Sequence, residues 1–421
     1  MTEQPDDVHR RLETLWRMEL PALVAMVTRM VGDLATAEDV VQDVSMIALE
    51  QWRRDGMPRD PVPWLRATAK HRAIDVVRRR GRTAAVVERA GREDERRATT
   101  DLSDEVLAHP VTDDLLQLLF LTCHPVLTRD SQVALTLRLF GGLSSAEIAR
   151  AFLVPEATVA QRISRAKRTL RDASAGLELP AVEQLPPRIA AVSEVVYLIF
   201  NEGYAATAGD DWTRPDLCAE AIRLGRILAS LLPEESELHG LSALMQLHAS
   251  RLPARIDAIG RPVLLADQDR RRWDRLLVRQ GLAALDRAIG LGGALHPYAL
   301  QASIAACHAR VAQDSDTDWT RITALYTVLA HVAPSPVVDL NRAVALGRSH
   351  GPARGLAVVD GLTTDGNLTG YPQLSAVRAD LLELAGRSDE AAAAYRQAAE
   401  LSRNQGERHL FLARAAGLEA D

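Results

Sequence analysis

The sequence predicts an all-α protein: two small helical domains, the second carrying a helix-turn-helix, followed by a long helical-repeat extension. Three observations carry this. Residues 8–31, 37–52 and 64–80 each hold an apolar stripe at helical spacing. Residues 143–171 hold a capping box and two consecutive amphipathic helices. Residues 373–405 place small and aromatic residues at the positions of a stacked helical hairpin.

Composition narrows the field. The chain has 421 residues, a hydrophobic fraction of 47% and an aromatic fraction of 4%. Its net charge is −6 and its only lysines are Lys70 and Lys167, so a basic surface has to be local and made of arginine. Cys123, Cys218 and Cys307 are far apart and form no CxxC, which suggests neither a disulfide framework nor a zinc site. The polar start and the absence of an apolar run of about 18 residues point to a soluble, cytoplasmic protein with no membrane role.

The helix over 8–31 buries Leu12, Leu15, Trp16, Leu23, Val27 and Met30, and Gly32 ends it. Thr36 is placed to cap the next helix, 37–52, whose core face is Ala37, Val40, Val41, Val44, Ile47 and Ala48. Its other face shows Glu38, Asp39, Gln42 and Asp43. That face is open to three readings: a solvated acidic surface, a docking surface for a basic partner helix, or a paired-carboxylate site. After a Gly/Pro-rich loop, 64–80 buries Leu65, Ala69, Ala73 and Val76 or Val77. It exposes Arg66, Lys70, His71, Arg72, Arg78, Arg79 and Arg80, with Asp75 as the lone acid. Trp64 opens this helix, either as a core residue or as a stacking plane for an unpaired base beside phosphate-binding cations. Residues 81–111 lose periodicity and read as a linker, and helices resume at 112–124 and 129–140.

In 143–171, Ser144 and Glu147 form the capping box, with Leu143 and Ile148 as the hydrophobic staple. The chain breaks at Leu153-Val154-Pro155 and a second helix follows, with Val159, Ile163, Ala166 and Leu170 as its buried stripe. Thr158, Gln161, Arg162, Arg165 and Arg168 share the opposite face. Such a pair reads as a helix-turn-helix whose second helix enters a DNA major groove, or as an amphipathic hairpin with a solvated basic face. Leu153 stands where the turn usually has Gly.

GDLATAEDVVQDVSMIALEQW, PWLRATAKHRAIDVVRRR and LSSAEIARAFLVPEATVAQRISRAKRTLR, in this order and separation, resemble a bacterial extracytoplasmic-function sigma factor of the sigma-70 family. The resemblance implies a region 2 domain over 1–81, a linker over 82–111 and a region 4 domain over 112–174. It implies that Glu38, Asp39, Gln42 and Asp43 dock on RNA polymerase. Trp64, Arg66, Lys70, His71, Arg72, Arg78 and Arg79 would bind the −10 element. Thr158, Gln161, Arg162, Arg165, Lys167 and Arg168 would read the −35 element. The implied partners are core polymerase (its β′ clamp helices and β flap) and promoter DNA. His71 stands where the family usually has Asn, and Leu153 and Pro155 replace its usual Gly and Ser/Thr-like cap.

The remaining residues form an extension. Ala379, Gly386, Ala391, Tyr395 and Ala398 fall at tetratricopeptide-repeat positions; Ala343, Gly355 and Val359 repeat the frame, and Tyr326 and Pro334 fit an earlier one. A helical part at 175–290 and TPR-like repeats at 291–421 are expected. YLIFNEGYAATAGDDWTRPDLCAEAIRL and LLADQDRRRWDRLLVRQG resemble a subgroup with a fused tetratricopeptide-like domain. Asn201, Glu202, Asp210, Asp211, Asp267, Asp269 and Asp274 match no metal-ligand pattern and read as caps and polar networks. No cofactor, metal or enzymatic activity is expected. The expected function is promoter recognition and transcription initiation, regulated in cis by the extension through segments 200–216 and 264–275, with a protein partner on the repeats. The alternatives are a helix-turn-helix regulator with a repeat-type sensor, or a repeat scaffold without promoter function.

Overall fold

Helix α1 (Pro5–Val31) buries Leu23, Val24, Ala25 and Val27 against α2 (Leu34–Asp55) and α3 (Pro61–Arg89). The computed structural model describes residues 5–89, 111–206, 212–258, 260–366 and 368–420. Among these, every extended element named is a helix, and Ile256 and Pro262 form an antiparallel bridge. By clustering of contacts the chain divides into two units, Met1–Val195 and Val196–Asp421.

In the first unit, α2 buries the expected Ala37, Val40, Val41, Val44 and Ala48, and adds Leu34 and Trp52. Its N-cap is Asp33 rather than Thr36: the Asp33 carboxylate accepts from the Thr36 backbone N–H at 2.9 Å and also from its hydroxyl. Thr36 is therefore inside the first turn, and Asp33, three residues earlier and the more favoured capping type, takes the N-cap. Helix α3 runs to Arg89, past the expected end at residue 80, so Gly81 is carried inside the helix at a cost of about 1 kcal/mol relative to Ala. Of the expected linker, residues 90–110 lie outside the described residues.

Helices α4 (Val111–Thr122) and α5 (Arg129–Leu139) supply the support for the helix-turn-helix. Phe120, Leu135, Leu137, Leu139 and Phe140 are fully buried there. Helix α6 (Ser145–Phe152) starts at the complete Ser144–Glu147 capping box, and α7 (Glu156–Asp172) follows. Between them Leu153 takes the left-handed conformation, φ 50°, with its side chain half out in solvent. The turn geometry that usually selects Gly is thus kept by a residue for which it is strained. The Val159, Ile163, Ala166 and Leu170 stripe is buried as expected. Helix α8 (Leu185–Tyr204) begins in this unit, where Arg188 donates to the Phe120 carbonyl at 2.7 Å and Arg129 pairs with Glu194.

In the second unit, α9 (Pro215–Leu231), α10 (Ser236–Ala249), α11 (Arg275–Gly290) and α12 (Pro297–Ala309) gather around α10. Helix α10 is buried nearly all round, as a helix must be when three neighbours cover it. From α13 (Trp319–Val332) and α14 (Pro336–His350) through α15 (Pro352–Asp365), α16 (Pro372–Leu384), α17 (Ser388–Leu401) and α18 (Gln405–Ala420), each helix packs on the next. Ala343, Val359, Ala379, Ala391, Tyr395 and Ala398 share one core cluster. Gly355 lies so close to α14 that a Cβ there would stand 2.6 Å from the Ala343 carbonyl oxygen. Gly386 turns the chain between α16 and α17 at φ 73°. The C-terminal half is a helical-repeat array, and the protein is all-α.

Candidate nucleic-acid interface

The polar residues of helix α7 fall into three groups. Gln161, Arg165 and Arg168 are exposed. Thr158 and Arg162 are half-buried, and Arg162 is paired with Asp130 of α5 at 2.9 Å. Lys167 turns the other way, its Nζ 2.6 Å from Glu38 Oε2 on α2. Arg162 and Lys167 must give up these ion pairs to reach a nucleic acid, whereas Arg165 and Arg168 already face solvent.

Glu38 is the centre of this contact. Its other oxygen takes a hydrogen bond from Arg138 Nε at 3.2 Å, and Arg138 also donates to the Leu143 carbonyl. Nearby, Arg171 at the end of α7 meets Asp33 at 3.0 Å. Burial alone would raise the Asp33 carboxyl, but hydrogen bonds from Thr36 and the charge of Arg171 outweigh it and hold the group down at about 2. Arg29 of α1 pairs with Asp114 of α4. Between α2 and α7 remains a crevice of about 350 Å³ lined by Glu38, Arg138, Ser164, Lys167 and Arg168. Of the expected docking residues, Asp39, Gln42 and Asp43 are exposed and Glu38 is half-buried.

On α3, Trp64 is half-buried and meets the buried Trp52 edge-on, ring centroids 5.2 Å apart. Arg66 is paired with Glu19 at 3.1 Å. Lys70 is half-buried, and His71, Arg72, Arg78 and Arg79 are exposed. Trp64 is thus packed against Trp52 on one part of its ring and open to solvent on another.

The acidic residues of the extension serve as caps and pairs. Asp274 caps α11 through the Leu276 and Leu277 amides, Asp269 caps a short turn and pairs with Arg271, and Glu202 pairs with Arg214. Asn201 and Asp267 are exposed, and Asp210 and Asp211 lie outside the described residues. Among the described residues no group of three or more His, Cys, Asp and Glu could hold a metal ion, and no helix is long and apolar enough to cross a membrane. Sequence reasoning missed the ion pairs joining α2 to α7, because partners 100 and more positions apart leave no local pattern. It also passed over arginines in 251–270 by attending to the acids around them.

Comparison with known proteins bears on the same segments. The sigma-70 region 2 model matches residues 15–83, the sigma-70 region 4 model matches 117–170, and a family of unknown function (DUF6596) matches 188–289. The chain is 42% identical over 391 residues to an uncharacterised protein of Rhizobium meliloti, covering 92% of this chain and 91% of that one. It is 29% identical over 154 residues to the ECF RNA polymerase sigma factor SigK of Mycobacterium ulcerans, covering 35% of this chain and 76% of that one. Among solved structures, yeast Tom70 aligns over 99% of this chain and 86% of its own at 11% identity, with a TM-score of 0.37, too loose to carry an argument.

Proposed function

This chain belongs to the extracytoplasmic-function group of the sigma-70 family, and from that premise we propose that it directs RNA polymerase to specific promoters in the cytoplasm. The observation that carries the proposal is one chain presenting two exposed basic helices, α3 and α7, beside an exposed acidic face on α2. Asp39, Gln42 and Asp43, joined by Glu38 once it is released, dock on the clamp helices of the polymerase β′ subunit, and region 4 meets the β flap. Helix α3 grips the −10 element with Arg72, Arg78, Arg79, Lys70 and His71, and the open edge of Trp64 offers a stacking surface for an unpaired base. Helix α7 lies in the −35 major groove through Gln161, Arg165 and Arg168, with Thr158, Arg162 and Lys167 at its edges. The work is recognition, not catalysis.

The extension regulates that activity in cis. Covalent fusion gives it a high effective concentration toward region 2, region 4 or polymerase, so a weak contact suffices. Segments 200–216 and 264–275 contribute to the contact surface, productive engagement of polymerase requires it, and the repeat array offers a surface for a protein partner. Run-off transcription with purified core polymerase tests the whole reading: no promoter-specific transcript from any mapped target would refute it. The arm for the extension compares full length with a truncation after Tyr204, which retains all of α8, since Arg188 and Glu194 pack on region 4. Equal transcription, polymerase affinity and promoter choice would make the extension a passenger.

A further inference from the structure

Three arginines of the extension are drawn together in its interior. Arg251 is 8% exposed and Arg270 4%. Arg255 is half-buried beside them. They are threaded through aromatic rings. The Arg255 guanidinium lies 3.8 Å from the Tyr204 ring centroid and 5.4 Å from that of Trp212. Arg251 lies 5.6 Å from Tyr204 and 5.9 Å from Trp273, and Arg270 5.2 Å from Trp273.

Their partners are unequal. Arg270 is well satisfied by Asp314 at 2.7 Å, the His308 carbonyl at 2.7 Å and Thr317. Arg251 has one hydrogen bond, to His248 Nδ1 at 2.8 Å, and Arg255 reaches the Tyr204 hydroxyl. Among the described residues neither has a carboxylate partner, and the Nε of each, the His308 Nδ1 and the Trp212 and Trp273 indole nitrogens make no hydrogen bond. His248 and His308 supply no counter-charge; burial and the adjacent arginines hold His248 well below its ordinary value and push His308 down to about 3. Cation–π contacts stabilise the guanidinium faces, but they leave the in-plane N–H donors unused. Buried charge without a counter-charge is costly, and five donors per guanidinium in a planar fork match the oxygens of a carboxylate or phosphate.

We propose that Arg251 and Arg255, lined by Tyr204, Trp212 and Trp273, form a binding site for a small oxyanion, a carboxylate or phosphate group carried by a small molecule. The outer layer is Tyr204, Trp212 and Arg255, all half-buried, and the inner layer is the buried Arg251 with Trp273. The anion enters past Arg255, takes up the free donors of both guanidinium groups and balances the interior charge. The site does not depend on the promoter-binding reading, and its readout needs no polymerase.

The test is isothermal titration of the full chain with inorganic phosphate, and separately with acetate and citrate, in sodium chloride of matched ionic strength. Thermal unfolding is followed under the same conditions. Saturable heat and a raised unfolding temperature with phosphate alone identify a phosphate site; the same with the carboxylates alone identifies a carboxylate site. R255Q, in the outer layer, should weaken binding about tenfold or more, the worth of one charged hydrogen bond. R251Q should abolish it; if R251Q does not fold, the R255Q arm decides. No saturable response to any of these anions would overturn the proposal. So would a response undiminished in R255Q, which would place the anion elsewhere. A purely structural cation–π role would also refute it, by lowering the unfolding temperature of R255Q equally in every salt.

Discussion

Replacing Glu38 with Gln and Lys167 with Met, singly and together, measures how firmly region 2 is tied to region 4. The two charges sit 2.6 Å apart with side chains only 13% and 20% exposed, and Arg138 meets the same carboxylate at 3.2 Å. Two charges about 4 Å apart attract by about 4 kcal/mol at an effective dielectric of 20. Desolvation and side-chain ordering consume much of that. Exposed pairs keep about 0–1 kcal/mol, and removing one partner of a buried pair costs about 3–5 kcal/mol. A half-buried bridge falls between, so the coupling energy of the cycle should be about 1–2 kcal/mol. That is about a fivefold to thirtyfold change in the ratio of associated to separated arrangements. Urea midpoints of the four proteins at constant m-value give the coupling, and hydrogen exchange in α2 and α7 reports where it acts. Additivity within about 0.3–0.5 kcal/mol would refute the reasoning.

The other expectations follow from single sites. D39R/D43R should lose core polymerase in a pull-down while keeping its helical circular dichroism, because both side chains face solvent. R165A should weaken promoter use by about 1–3 kcal/mol and relax preference at one −35 position if it reads a base, or weaken all sequences alike if it meets phosphate. Transcription from variant promoters separates the two, and R162A should additionally lose its pair with Asp130. Asp33 has its carboxyl lowered from 3.8 to about 2 in the fold, so the stability it contributes is complete above pH about 4 and is lost as pH falls toward 2. D33N should therefore lose less stability than the parent chain over that interval, read by urea melts at each pH. G355A should cost about 1–3 kcal/mol in the same assay, since the added methyl meets a backbone carbonyl that cannot rotate away.

How much of this could be read beforehand depends on how far apart the interacting residues are in the chain. The capping box at Ser144 and Glu147 and the Val159–Leu170 stripe are matters of three or four residues, and both are found as expected. The repeat positions Ala379, Ala391, Tyr395 and Ala398 were legible because small residues and an aromatic at fixed spacing mark the close packing of a helical hairpin. The α2 cap was misplaced because Thr36 and Asp33 are both good caps and only the geometry of the turn decides between them. The end of α3 was missed because an amphipathic stripe can stop where a helix does not. Arg251, Arg255 and Arg270 carry no local signal of their surroundings, since nothing near them in the chain says that Tyr204, Trp212 and Trp273 will close around them.

The bridge through Glu38 also bears on counterions. A cation that leaves solvent for DNA releases ions condensed on the phosphates, and the observed affinity then falls with salt by about 0.9 of a power for each phosphate neutralised. Lys167 and Arg171 are already neutralised by Glu38 and Asp33. To meet a phosphate each has to strip itself from a carboxylate, which gathers sodium ions of its own as it is exposed. That uptake cancels part of the release. Added salt also loosens the internal pairs, favouring the arrangement in which α7 is free. Promoter binding by this protein should therefore tolerate rising ionic strength better than a count of its phosphate contacts would predict.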